Sequence, residues 1–291
     1  MMKIAYLASK ATLPGSPTRR SDAFEHDRMM DALRAPFAEK QMQVIDVDWA
    51  APDQDWTEFA AVIVGTTWDY WDHQDAFLET LRRIETKTRL FNSAALVQWN
   101  SHKGYLRSLE AKGARLIPTL WIDKVDAASA AEAFARLGSK DLVFKRQVGA
   151  GADGQYRLNP TSALPDMPRP MMVQPFLSRI QEEGEFSFVF IDGRFSHALL
   201  KTAKSGDYRI QSTYGGQETP IAPDQADLAE AESVLKILDE TPLYARVDML
   251  RGDDGRLLLM ELELIEPYLY PLEGPGLGPM MADAVYRRIA L

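Results

Sequence analysis

The chain has 291 residues, no cysteine and a formal net charge of −9. Its length allows one large domain or two to three smaller ones with real cores, and the missing cysteine excludes a disulfide framework, a thiolate metal site and a Cys nucleophile. The acidic balance argues against a duplex nucleic-acid partner, whose phosphates need a basic surface, yet a few Lys and Arg can still make a local site for a small anion.

In chain order, residues 3–8 read as a buried strand and 9–21 as a loop holding Pro14, Gly15, Pro17 and the pair Arg19-Arg20. No secretory signal precedes this strand and no apolar run approaches a membrane span, so a cytoplasmic protein with no membrane partner is expected. Asp22 is placed to cap a helix running to about residue 40, with Pro36 arguing for a kink or break. Strands are expected at 43–47, 61–64 and 89–91, and an amphipathic helix at 75–86. Strand and helix alternate, so residues 1–97 read as a small Rossmann-like open α/β sheet. Such sheets bind ligands beyond the carboxyl ends of their strands. The 9–21 loop lies there, as does Gly65-Thr66-Thr67-Trp68-Asp69-Tyr70-Trp71-Asp72, whose two Trp could equally serve packing.

Beyond residue 97 the pattern becomes mixed α+β with hairpins. Asn100 to Lys103 should cap a helix at 103–112, ended by Gly113. Residues 114–121 are extended, and 127–137 form a helix ended by Gly138. Strands follow at 142–145, 155–158 and 171–176. A hairpin of 185–191 and 194–201 crosses Asp192-Gly193. A helix at 226–238, a second hairpin at 244–263 and a closing helix at 280–289 complete the chain. Boundaries near 97 and 176 give parts 1–97, 98–176 and 177–291.

Gly149, Gly151 and Gly154 fit G-x-G-x-x-G, but Asn159-Pro160 follows where the dinucleotide fingerprint needs a helix, and no Gly-Lys-Ser/Thr phosphate loop exists. What remains is either a loose hairpin or a glycine turn whose N–H groups close over phosphates, with Lys145 beside it as a point charge. The 244–263 hairpin turns at Gly252-Asp253-Asp254-Gly255. Centred between Asp254 and Gly255, it sets Asp248 opposite Glu261 and Arg246 opposite Glu263 on one face. Val247, Met249, Met260 and Leu262 would occupy the other. Buried carboxylates are costly unless a cation meets them. Oxygen ligands of this kind suit Mg²⁺; the alternative is an exposed charged face with an Arg246–Glu263 surface pair.

The ordered set Lys103, Lys145 with the glycine loop, Gln174-Pro175-Phe176, Gly184-Glu185, Asp248 and Glu261-x-Glu263 resembles the ATP-grasp superfamily, in the branch of glutathione synthetase and the ribosomal-protein glutamate ligase. Trp68-Asp69-Tyr70, the run Trp99-Asn100-Ser101-His102-Lys103-Gly104-Tyr105-Leu106 and Tyr214-Gly215-Gly216 are similar to relatives of the cyclo-ligase of cycloserine biosynthesis. The resemblance spans nearly the whole chain. It implies an α/β N-terminal domain (1–97), a central ATP-grasp part (98–176) and a C-terminal part with the metal site (177–291), with nucleotide between two mixed sheets. The cofactors it implies are ATP and Mg²⁺, as two ions.

Residue by residue, the resemblance implies that Lys103 and Lys145 hold phosphates and that Gly149, Gly151 and Gly154 cover them. Gln174 and Phe176 would flank adenine, and Glu185 would accept ribose hydroxyls. Asp248 and Glu261 would bind metal; Glu263 stands where the glutathione synthetase branch has Asn, which leaves its direct role open. Arg209, with Lys201 and Arg246, would stabilise the reacting groups. The implied reaction joins a carboxylate to an amine through an acyl phosphate. A phosphotransferase and a non-catalytic nucleotide-binding module are the alternatives. The substrate pocket is expected around Arg19, Thr67, Trp68, Asp69, Arg246, Glu266, Tyr268 and Tyr270. Asp69 and Glu266 could take an ammonium, and Arg246 could take a carboxylate or only pair with Glu263. The expected partner is a small molecule, with no nucleic acid; a homodimer is left open.

Overall fold

The computed structural model describes residues 1–149, 154–204 and 215–290. Three sheets carry the fold. The first is parallel, in the order β2-β1-β3-β4, from β1 (Met2–Ala8), β2 (Met42–Asp48), β3 (Ala61–Ile63) and β4 (Arg89–Phe91). Helix α1 (Phe24–Glu39) crosses from β1 to β2, and α2 (Gln74–Glu85) from β3 to β4. Met29, Met30, Leu33 and Phe37 recur at helical spacing along α1 and are buried.

At α1 the expected cap fails, and of the expected kink or break the break is absent. Asp22 does not cap it; its carboxylate pairs instead with Arg20, at 2.6 Å. Pro36 does not break it. A proline frees the carbonyl four residues earlier. Here that carbonyl, on Ala32, lies against Gly278 of the C-terminal helix, where a Cβ would come within 2.1 Å of it.

Helices α3 (Ala94–Asn100) and α4 (Tyr105–Ala111) follow. The first was not legible, and Asn100 to Lys103 does not cap the second: the residue before α4 is Gly104, whose N–H is accepted by the His102 imidazole. The second sheet is antiparallel, in the order β5-β8-β6-β7, from β5 (Leu120–Ile122), β6 (Leu142–Arg146), β7 (Tyr156–Leu158) and β8 (Met171–Pro175). Helix α5 (Ala127–Leu137) packs Ala130 and Ala133 against it, started by an Asp126 capping box and stopped by Gly138 at φ +62°.

A short α6 (Arg179–Glu182) leads into the third sheet, antiparallel, in the order β11-β10-β9-β12-β13. Its strands are β9 (Glu185–Ile191), β10 (Arg194–Thr202), β11 (Gln217–Ile221), β12 (Tyr244–Arg251) and β13 (Leu257–Glu263), with α7 (Gln225–Lys236) between β11 and β12 and α8 (Leu277–Ala290) at the end. All seven residues of β9 are buried. Phe186, Phe188 and Phe190 share a core with Val247, Met249, Leu259 and Leu262, so the sheet's opposite face receives Glu185, Ser187 and Val189.

The hairpin of β12 and β13 pairs Asp248 with Glu261 and Arg246 with Glu263, as expected, but Arg251 pairs with Leu257. The turn is therefore centred on Asp254, and a β-bulge after Asp248 absorbs the extra residue. Leu259, not Met260, faces Met249. Among the described residues no helix is long and apolar enough to cross a membrane.

Candidate active site

The site grows from strand alternation. Register sets Lys201 of β10 opposite Glu185 of β9, Ser187 opposite Asp248 of β12, and Asp248 opposite Glu261 of β13. Residues directly opposite share a face, so this polar row crosses four strands on the side away from the phenylalanines. Every member has a partner. Arg246 donates through Nε and Nη2 to Asp248 at 3.0–3.1 Å, through Nη2 to Glu263, and through Nη1 to the Tyr268 carbonyl at 3.0 Å. Lys201 Nζ lies 3.2 Å from Glu185 and 3.5 Å from Asp248. The Ser187 hydroxyl donates to Asp248, and Lys103 pairs with Glu261.

These contacts split the carboxylates electrically. Burial pushes Asp248 up, but Arg246 and Lys201 outweigh it and leave its pKa at about 2. Burial dominates at Glu185 and at Glu263, and both rise to about 7. Burial also drives Glu266 well up, with Glu263 and Glu261 adding to it. Burial pulls Lys145 down, partly opposed by Glu261. Lys201 is raised: burial and Arg246 act against its charge, and Asp248 and Glu185 are among the groups that reverse them.

Lys103 is fixed from both ends. Its backbone N–H donates to Gln147 at the approach to the glycine turn, 2.8 Å away, while its ammonium meets β13. The cleft between them is lined by Tyr70, Asn100, Ser101, Lys103, Tyr105, Gly149, Glu261, Leu262, Glu263 and Glu266. Gly149 has φ +143° and Gly154 φ +65°, with the Arg146 side chain against the latter. Gln174 is buried and donates to Thr119 Oγ1 at 2.9 Å, and the Arg157 guanidinium covers the Phe176 ring at 3.4 Å. Gly151, Arg209 and Tyr214 lie outside the described residues.

The expected substrate residues separate. Glu266 joins the cleft, and its carbonyl accepts from the Trp68 indole at 3.1 Å. The Tyr270 ring lies 5.1 Å from Lys201 Nζ and 5.7 Å from the Arg246 guanidinium carbon, and it packs on Tyr268 at 4.7 Å. Thr67 is fully buried. Two others are committed elsewhere. Arg19 grips Asp27 at 2.7 Å and the carbonyls of Thr12 and Ala23, which ties its loop to α1. Asp69 accepts from the Trp49 indole at 2.7 Å, which fastens the 65–72 loop to the first sheet. Arg246 likewise spends its donors on Asp248, Glu263 and Tyr268, so its pairing with Glu263 holds.

Sequence reasoning missed the residues that aim the carboxylates. Asn100 donates to the Leu262 carbonyl at 2.9 Å and accepts from the Leu264 N–H at 3.1 Å; the Tyr105 hydroxyl accepts from the Leu262 N–H at 2.7 Å. These bonds bracket Glu263 and hold β13 against α3 and α4. Asn92 does the same one step on, bonding Leu243, Tyr244 and Leu264.

The donor set suits a hard divalent ion, being all carboxylate oxygen. Among the described residues no three acidic or histidine groups gather closely enough to hold an ion unaided. Mg²⁺ usually takes one or two carboxylates and completes its shell with phosphate and water.

Known proteins resemble the chain over most of its length. Residues 4–92 match the family described as D-cycloserine synthetase DcsG, N-terminal domain. The chain is 30% identical over 241 residues to the cycloserine biosynthesis protein DcsG of Streptomyces lavendulae, covering 76% of this chain and 81% of that protein. It is 28% identical over 186 residues to the glutathione synthetase of Prochlorococcus marinus (strain MIT 9313), covering 60% and 55%. The crystal structure of D-cycloserine synthetase DcsG superposes with a TM-score of 0.83 over 99% of both chains at 24% identity. The ATP-grasp ligase PsnB, complexed with minimal precursor, Mg and ADP, does so at 0.63 over 97% and 96%, at 14% identity. With these relatives in agreement, the chain belongs to the family of the cycloserine biosynthesis protein DcsG, and its fold is that of the ATP-grasp ligases.

Proposed function

We propose that this chain is an ATP-dependent carboxylate–amine ligase that works through an acyl phosphate on a small amino-acid-like substrate and releases ADP and phosphate. One observation carries the reading: Asp248 and Glu261 oppose each other on one sheet face, with Lys103 on Glu261. In this reading residues 1–97 present the substrate, and 98–176 and 177–291 enclose the nucleotide. Lys103 and Lys145 hold its phosphates under the turn of Gly149, Gly151 and Gly154. Gln174 and Phe176 flank the base, and Glu185 accepts from the ribose. Asp248 and Glu261, with Glu263 beside them, hold Mg²⁺.

A carboxylate is a poor acyl donor because its leaving group would be oxide or hydroxide. Its oxygen attacks the γ-phosphorus, the bond to ADP breaks, and an acyl phosphate forms. The amine then attacks the acyl carbon, a C–N bond forms, phosphate leaves and the amine loses its proton. Mg²⁺, when bound, supplies neutralisation of charge on the transferred phosphoryl group. Lys201 keeps its proton because Asp248 and Glu185 flank it, and its positive charge stabilises the oxyanion at the acyl carbon. Arg209 adds a second positive charge there. The glycine turn excludes water that would hydrolyse the intermediate. The 30% identity to a cycloserine biosynthesis protein favours the intramolecular form, in which amine and carboxyl-derived carbon belong to one molecule.

The test is ADP and phosphate release, measured in parallel against amino acids and small dicarboxylates, with hydroxylamine added to capture the acyl phosphate as a hydroxamate. Equal ADP and phosphate with hydroxamate formation is expected. ADP without phosphate would make the protein a phosphotransferase, and no ADP with any substrate would make it a binding module.

A further inference from the structure

We propose that the Glu266 carboxylate and the Tyr70 hydroxyl together seat the substrate nitrogen that attacks the acyl carbon, where the Trp68-Asp69-Tyr70 run meets the segment after β13. The proposal deepens the ligase reading and rests on it for the role of that nitrogen as nucleophile; the seat itself is argued from the cleft.

Trp68, Asp69 and Tyr70 stand in the loop after β3, and each does something different. Asp69 accepts from the indole of Trp49, the residue after β2, at 2.7 Å. Trp68 reaches across the chain and donates to the Glu266 carbonyl at 3.1 Å, with the Arg20 guanidinium over its ring at 5.4 Å. The carbonyl before that one, on Ile265, accepts from the Tyr244 hydroxyl at 2.7 Å. Pro267 follows, which favours an extended backbone at Glu266. The main chain of Glu266 is thus held at successive carbonyls, and its side chain lines the cleft. Tyr70 lines the same cleft. Its ring packs on Phe77 at 5.2 Å and Trp71 at 5.6 Å, and the residue is only 4% exposed.

These two groups lack partners in a cleft whose other charges have them. Three carboxylates and one ammonium line it. Glu261 pairs with Lys103, and Glu263 pairs with Arg246. Ser101 is also engaged: its hydroxyl accepts from Gln74 at 2.7 Å and donates to the Gln98 carbonyl at 2.9 Å. Among the described residues, neither the Glu266 carboxylate nor the Tyr70 hydroxyl makes an ion pair or a hydrogen bond. Glu266 is also the charge that acts most on the Tyr70 hydroxyl. Folded proteins rarely leave polar groups at such depth unpaired, and a carboxylate there without a cation is costly. In the proposed function, phosphates and Mg²⁺ claim Lys103, Glu261 and Glu263, so the second reactant is left with Glu266 and Tyr70.

The lining selects a nitrogen over an anion or a metal. An anion would meet three carboxylates. A divalent ion needs several oxygen ligands close together, and among the described residues no three acidic or histidine groups gather that closely. An amine arrives as an ammonium with three N–H donors and one positive charge, and a carboxylate and a phenol oxygen can accept from it at once. Burial, with Glu263 and Glu261 adding to it, disfavours the charged form of Glu266, and a bound ammonium offsets both. Of the two carboxylates that the sequence offers for an ammonium, Asp69 is held by Trp49 and Glu266 is open.

The test is direct binding, without turnover. Calorimetry of the full chain with Mg²⁺ and a non-hydrolysable ATP analogue compares amines with their hydroxyl counterparts: 2-aminobutyrate with 2-hydroxybutyrate, in both enantiomers, and 4-aminobutyrate with 4-hydroxybutyrate. At least one amine should bind about tenfold tighter than its counterpart or better, the range for a charge-assisted hydrogen bond. Glu266→Gln should bring that preference within about twofold. Tyr70→Phe, which keeps the ring contacts, should weaken the amine about three- to tenfold, the loss of one hydrogen bond, and covers the case in which the first variant does not fold. A wild-type protein without amine preference, or variants that keep it, would overturn the proposal. So would a loss of about tenfold in Mg²⁺-nucleotide affinity in Glu266→Gln, which would make Glu266 a metal ligand. If the preference depends on Glu266 but no substrate gives ADP, the ligase reading fails and the nitrogen seat stands. If ADP and phosphate are released while Glu266→Gln keeps the preference, the ligase reading stands and the seat fails.

Discussion

Two carboxylates flank the Lys201 ammonium, and the structure gives them opposite effects on stability. Consider Asp248→Asn and Glu185→Gln, each nearly isosteric. Arg246, Lys201 and Ser187 hold the Asp248 pKa at about 2, below its ordinary 3.8. A group lowered on folding stabilises the fold above its unfolded pKa and loses that contribution as pH falls through its folded value. At about 1.4 kcal/mol per pK unit, Asp248 contributes roughly 2–3 kcal/mol at pH 8. Glu185 is raised from 4.5 to about 7, chiefly by burial. A raised group favours the fold below its unfolded pKa and loses that advantage as pH rises through its folded value. By the same conversion its ionisation costs the fold roughly 3 kcal/mol at pH 8 and under about 1 kcal/mol at pH 5. Urea midpoints of the nucleotide-free protein, read with unchanged slope, test the pair. Asp248→Asn should lose roughly 2–3 kcal/mol at pH 8. Glu185→Gln should be neutral or stabilising there, and the gain should shrink at pH 5. If Glu185→Gln lost 1 kcal/mol or more at pH 8, the lysine would be held mainly by Glu185 and the electrostatic account of the row would be wrong.

Other outcomes follow from the same contacts. Glu263 and Glu185 sit at about 7, so both are part-protonated near neutrality, and a cation favours their ionised forms. Affinity for Mg²⁺ with nucleotide should therefore rise between pH 6 and 8, with proton release on binding at pH 6.5. Calorimetry in buffers of different ionisation heat measures that release, and it should fall in Glu263→Gln; an unchanged release in the variant refutes the assignment. Lys103→Met removes the ammonium that meets Glu261 and, in the proposed function, the phosphates. Nucleotide affinity should drop about 10- to 100-fold, the range for a charge-assisted hydrogen bond; equal affinity by equilibrium titration would remove Lys103 from the site. Asn100→Ala leaves the Leu262 carbonyl and the Leu264 N–H without that partner, at a cost of about 1–3 kcal/mol for buried groups. Thermal unfolding should show that loss, and Mg²⁺-dependent nucleotide binding should weaken, because Glu263 lies between the two bonds.

Much of the chain's local structure was written in its pattern. The alternation of Glu185 to Ile191 marks a strand with aromatic residues on one side and Glu185 and Ser187 on the other, and β9 is that strand. The pairing of Asp248 with Glu261 followed from turn residues and period two, which act over a few positions. Even there the bulge at Met260 was invisible, because an extra residue in one strand is decided by what the neighbouring strands will accept. Strand β11 is half polar and lies on a sheet edge, so its pattern carried little signal, yet its register sets Glu218 opposite Lys201.

What only the tertiary structure decided was which polar group meets which. Asp69 and Glu266 looked alike as candidate ammonium partners, but one bonds the tryptophan that follows β2 and the other lines the cleft. Arg246 looked open to a ligand and proved committed to two carboxylates and a carbonyl. Asn92 and Asn100 carry no motif, yet they bond strands 151 to 172 residues away in the chain. Periodicity reports how a segment faces water and core, a local property of consecutive residues. The partner of a buried polar side chain is set by long-range packing, which no stretch of sequence expresses by itself.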